Sequence, residues 1–109
     1  MTTQSNRWSA EDVEKIVANP AYLGIGVYER VVENDMFIQN ALIAIGRNAD
    51  SYYKNLENNL VEFLEFDRRV AHNDVAELRR AIEADQSNAK DTMLRFINSI
   101  RATAASMLN

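Results

Sequence analysis

The stretch Ser51–Val70, SYYKNLENNLVEFLEFDRRV, decides the fold. Tyr53, Leu56, Leu60, Phe63, Leu64 and Val70 recur at three- and four-residue spacing, with Tyr52 and Phe66 widening the stripe. That is the period of an amphipathic helix, not of a strand. Val75, Leu78 and Ile82 resume the stripe, and Ala89, Met93, Phe96, Ile97, Ile100, Ala104 and Met107 carry it to the end. Positions 53 to 107 therefore lie close to a heptad seam, as in a coiled coil. No glycine or proline follows Gly46, so one long helix, a helical hairpin and three helices all fit residues 51–108. Two weak points favour the broken arrangements. Asp74 and Glu77 have capping-box spacing just after His72-Asn73, and Gln86-Ser87-Asn88 is a polar interruption.

Upstream, the chain is more punctuated. Ser9 reads as the N-cap of a short helix, with Trp8 and Val13 as a hydrophobic staple and Asp12 as the capping-box acid. Val13, Ile16 and Val17 share one face of it, and Asn19-Pro20 ends it, because proline disfavours the helical conformation in the residue before it. Tyr22–Tyr28 alternates apolar residues with Gly24 and Gly26. It fits a short extended segment or a loop, and a lone strand is marginal, so a loop packing Tyr22, Ile25, Val27 and Tyr28 onto the helices is expected. Asn34 or Asp35 opens a second helix whose apolar residues, Met36 to Ile45, cover most of its circumference. Gly46 is placed for its C′ position, and Asn48 or Asp50 for the next cap.

The string Arg7-Trp8-Ser9-Ala10, Val13, Ile16, Asn19-Pro20-Ala21-Tyr22, Gly24 and Val27-Tyr28 resembles a segment of the recombinase domain of large serine recombinases, and the likeness extends through Val31-Val32-Glu33 and Phe37 over about residues 7–45. In that family the segment helps bind DNA, so the resemblance implies a DNA-associated accessory protein, with Arg7, Lys15 and Arg30 as the contacts. This chain departs from the family in carrying Glu11, Asp12 and Glu14 where the family is basic, and its 109 residues hold neither the nucleophilic-serine domain nor zinc-ribbon cysteines.

Composition narrows the function classes. At 109 residues, 47% hydrophobic and 26% charged, the chain is one globular domain, residues 1–109, made of a compact segment 1–48 and a long-helix segment 49–109. Cysteine is absent, which excludes disulfides, thiolate metal sites and thiol catalysis. The net charge of −4 is shared about equally between the two segments, and neither offers the basic stripe of a nucleic-acid-binding domain. No apolar run is long enough to span a bilayer, and Met1–Asn6 is polar, so a cytoplasmic, membrane-free protein is expected.

Nothing assembles into a catalytic motif. His72 is the lone histidine and lacks a recognisable nucleophile or orienting partner. Glu57, Glu62, Glu65 and Asp67 lack the Glu-x-x-His pairing of a di-metal bundle and read as a solvated face with Lys54, Arg68 and Arg69. No catalytic residue, cofactor or metal is expected. The doublets Arg68-Arg69 and Arg79-Arg80 fall on one face of a continuous helix, among acidic neighbours. The expectation is an all-α protein: a short N-terminal helix and loop, then long amphipathic helices in a hairpin or bundle completed by self-association. Its function is that of a non-enzymatic interaction or assembly module, an acidic helical adaptor, scaffold or chaperone-like protein. It would dock itself or a protein partner through Leu60, Phe63, Ile82, Met93, Ile97 and Ile100, with Met36, Phe37 and Leu42 holding the assembly together.

Overall fold

The structure is a computed structural model that describes residues 10–108; Arg7, Trp8 and Ser9, and with them the expected staple and N-cap, lie outside the described residues. Five helices follow one another: α1 Ala10–Val17, α2 Asn34–Arg47, α3 Ala49–Glu62, α4 Arg68–Ala84 and α5 Ala89–Leu108, with 3₁₀ turns at Pro20–Tyr22 and Gln86–Asn88. The fold is all-α, with no strand among the described residues and a single antiparallel bridge, Leu23 to Arg30. Helix α2 packs on α3, α3 on α4, α4 on α5, and α5 returns to α2; α1 lies on α2. A four-helix ring thus closes within one chain. No described helix is long and apolar enough to cross a membrane.

The stripe of α4 explains where its break falls. Ala71, Val75, Leu78 and Ile82 are buried at a constant helical phase, so the helix runs straight through His72-Asn73-Asp74, contrary to the capping-box expectation. A cap residue marks a start only where the residues before it leave the helix. That happens at Phe63–Asp67, which the periodicity does not betray. Asp67 Oδ1 accepts from the Arg69 and Val70 N–H groups at 2.9 and 3.3 Å and starts α4. Glu65 takes φ 59°, letting the Phe66 N–H reach back 3.0 Å to the Leu60 carbonyl. Leu64 and Phe66 are buried on either side of the exposed Glu65, a local alternation in place of the helical period. The second expected interruption, at Gln86–Asn88, is present as a 3₁₀ turn between α4 and α5. Three helices therefore occupy residues 49–108.

Two further positions differ from expectation. Gly46 sits inside α2, which continues to Arg47, and the chain turns at Asn48 instead. Asn48 Oδ1 accepts from the Ser51 N–H at 3.1 Å, so one residue ends α2 and caps α3. In the expected loop, Ile25 is fully buried, but Val27 and Tyr28 are exposed.

The N-terminal segment is tied down by hydrogen bonds more than by its short helix. Asn19 is buried, and its Oδ1 accepts from the Ala21 N–H at 3.1 Å. Tyr52 Oη donates to the Val17 carbonyl at 2.7 Å and Asn59 Nδ2 to the Ala18 carbonyl at 2.9 Å, so α3 satisfies the end of α1. The N–H groups of Val31 and Val32 both donate to the Tyr22 carbonyl. Gly24, at φ +78°, permits this closure: a Cβ there would lie 3.0 Å from Arg30 Cβ and 3.1 Å from Arg30 N.

Candidate functional site

Five of the six residues read as a docking seam are interior to the single chain. Leu60, Met93 and Ile97 are fully buried, and Ile82 and Ile100 nearly so. Their partners are the other helices of the same ring, which is why the seam looked like an unsatisfied interface in sequence. On α2, Phe37 is buried, Leu42 is half-buried against the core, and Met36 is half-exposed. Phe63 alone of the six stands out, 40% exposed at the C-cap of α3.

Phe63 belongs to a patch drawn from three separate parts of the chain. Tyr28 in the α1–α2 connection packs edge to face on it, ring centroids 6.2 Å apart. Val27, 76% exposed, and Met107 on α5, 50% exposed, join them around a shallow cavity of about 140 Å³ that Leu64, Glu65 and Gly26 also line. Single exposed apolar side chains are ordinary, whereas a contiguous set contributed by several elements is a candidate interaction surface. Local backbone places each member. The bridge of Leu23 to Arg30 closes the loop that projects Val27 and Tyr28. The left-handed Glu65 ends α3 so that Phe63 stays outside while Leu64 and Phe66 turn in. The cue in the sequence is the apolar–acidic–apolar alternation Leu64-Glu65-Phe66, hidden within a longer helical period.

The second candidate is a polar groove between α3 and α4. His72 Nδ1 lies 2.9 Å from Glu57 Oε1, and Arg68 donates to Glu57 Oε2 at 3.2 Å and to Asn58 Oδ1 at 2.8 Å. Burial pushes the Glu57 carboxyl up, but the hydrogen bonds from His72 and Arg68 outweigh it and hold the group below the usual glutamate value. Further along, Arg79 bridges Asp50 at 2.7 Å and Glu83 at 3.0 Å, with its guanidinium 5.1 Å above the Tyr53 ring. One arginine of each doublet, Arg68 and Arg79, thus fastens α4 to α3, while Arg69 and Arg80 are exposed. The residues lining this groove include no serine or threonine. His72 therefore has a carboxylate partner but no serine or threonine beside it, and the cluster reads as an inter-helix clamp. Among the described residues no group of three His, Asp or Glu could hold a metal ion.

Of the residues that the recombinase resemblance implies for DNA, Lys15 is exposed on α1 and Arg30 pairs with Glu33 at 3.3 Å; Arg7 lies outside the described residues. The chain matches no protein-family model, no curated protein and no solved structure.

Proposed function

We propose that this chain is a non-enzymatic protein–protein interaction module that docks a partner on the patch Val27, Tyr28, Phe63 and Met107. The observation that carries the reading is that three chain segments place exposed apolar side chains on one cavity, in a molecule that uses most of its helical stripe internally. Tyrosine, phenylalanine and methionine are enriched in the cores of interfaces, where they bury large apolar area. The polar groove supports the same reading from the other side, since Glu57, Arg68, His72, Asp50 and Arg79 are occupied in holding α3 against α4.

The test is comparative capture. The full chain and its Tyr28→Ser/Phe63→Ser variant are immobilised and exposed to extract of the source cells, with matched circular dichroism spectra as the folding control. The expected result is a defined set of proteins retained by the wild type and lost from the variant. Identical sets on both would sink the proposal.

A further inference from the structure

One carboxylate in the patch, and two more beside it in the sequence, indicate what covers it. Glu65 lines the cavity itself, while Glu29 and Glu62 adjoin Tyr28 and Phe63 in the chain; all three are exposed and form no ion pair among the described residues. Several arginines have partners or positions of their own. Arg30 pairs with Glu33, Arg68 with Glu57, and Arg101 reaches the Leu23 carbonyl at 3.5 Å; Arg69 lines a different hollow with Asp67 and His72. Elsewhere on the surface many carboxylates are used in pairs, as Glu14 with Arg47, Asp50 and Glu83 with Arg79, and Asp91 with Arg95. The cavity is thus lined by one carboxylate, Glu65, and flanked in the sequence by two more, none of which forms an ion pair among the described residues.

We infer that the occupant is a basic amphipathic segment of another protein, its apolar side chains seated among Tyr28, Phe63 and Met107 and its lysines or arginines facing Glu29, Glu62 and Glu65. This rests on the interaction reading above and adds the partner's chemistry. A second copy of this chain is disfavoured, because a two-fold contact across the patch sets the Glu65 carboxylate against its own copy. Glu65 sharpens the argument. It holds a left-handed backbone conformation in which glycine is the unstrained residue, yet it presents a carboxylate at the cavity.

The experiment uses the full chain and two dye-labelled peptides of about five helical turns, one of leucine and lysine in an amphipathic pattern and one of leucine and glutamate in the same pattern. Fluorescence anisotropy is expected to show binding of the leucine–lysine peptide only, weakening with added salt. Glu29→Gln/Glu62→Gln/Glu65→Gln is expected to weaken it about tenfold or more, and Phe63→Ser or Tyr28→Ser to do the same. The control Asp35→Asn/Asp74→Asn/Glu77→Gln removes as much charge away from the patch and is expected to leave affinity unchanged. Glu65→Gly gives an independent readout: a higher unfolding midpoint together with weaker binding. Equal weakening by the control triple, indifference to Phe63→Ser, or binding of neither peptide would overturn the inference. Equal binding of both peptides would overturn the charge preference alone and leave the interaction reading to the capture experiment, which does not depend on the partner's charge.

Discussion

Tyr52 and Tyr53 are adjacent on α3, both buried, with their rings edge to face at 5.6 Å, yet their hydroxyls differ in partner. Tyr52 Oη donates to the Val17 carbonyl, and burial, with Tyr53 adding to the effect, pushes its phenol far up. Tyr53 Oη is buried without a hydrogen-bond partner, and its phenol is pushed up to about 12 by burial first and Glu83 second, against the opposing pull of Arg79. Tyr52→Phe leaves the Val17 carbonyl unsatisfied and is expected to cost about 1–2 kcal/mol. Tyr53→Phe removes a desolvated hydroxyl that makes no bond and is expected to be neutral or stabilising by up to about 1 kcal/mol. Urea midpoints at unchanged slope measure both; equal losses would mean that Tyr53 Oη has a partner after all. Such differences are not legible in the sequence. Tyr28, Tyr52, Tyr53 and Phe63 are alike as apolar marks, and only the turn on which each falls separates core from patch.

At the scale of elements, the joint between α3 and α4 carries both the patch and the clamp. The proline stop and glycine turn of residues 10–26 were legible because each has a breaker residue, and the turn at 86–88 because it is a polar interruption of the stripe. The joint at 63–67 was not, since Glu65 fills a left-handed position without being glycine, and Asp67 was indistinguishable from the acids of a solvated face. Conversely, Asp74 and Glu77 have the spacing of a cap but sit inside α4, where desolvation and Glu77 raise the Asp74 carboxyl instead. Glu57 connects the two helices from below this joint. Its folded-state pKa is lowered from the usual 4.5, so the stability it contributes is fully present above that value and is lost as pH falls through the lower folded-state pKa. The stability difference between wild type and Glu57→Gln is expected to be constant near neutrality and to shrink in acid over that window. His72→Ala, which removes one of the hydrogen bonds that lower the pKa, moves the window upward. A difference that persists unchanged into strong acid would refute the clamp.

For the whole molecule, the question is whether the apolar stripes are core or contact surface, and the two alternatives separate under mutation. The ring α2–α3–α4–α5 buries Leu60, Ile82, Met93, Ile97 and Ile100 within one chain, and the radius of gyration, 13.8 Å, is close to the ~13 Å of a compact chain of this length. Light scattering on the size-exclusion eluate is therefore expected to give 12.4 kDa at every concentration in a dilution series. A stripe that served assembly would behave otherwise. Ile97→Ala would then lower the mass at modest cost in stability, whereas a core residue leaves the mass unchanged and loses about 2–5 kcal/mol. The second outcome is expected, as a fall in thermal midpoint of at least about 10 °C for a domain of this size. If a dimer forms instead, Phe63→Ser locates it. A dimer dissolved by that change occupies the patch and displaces the basic partner proposed above. A dimer indifferent to it uses another surface, of which the exposed Met36 and Ile43 on α2, seven residues apart and so on one helical face, are the next to substitute.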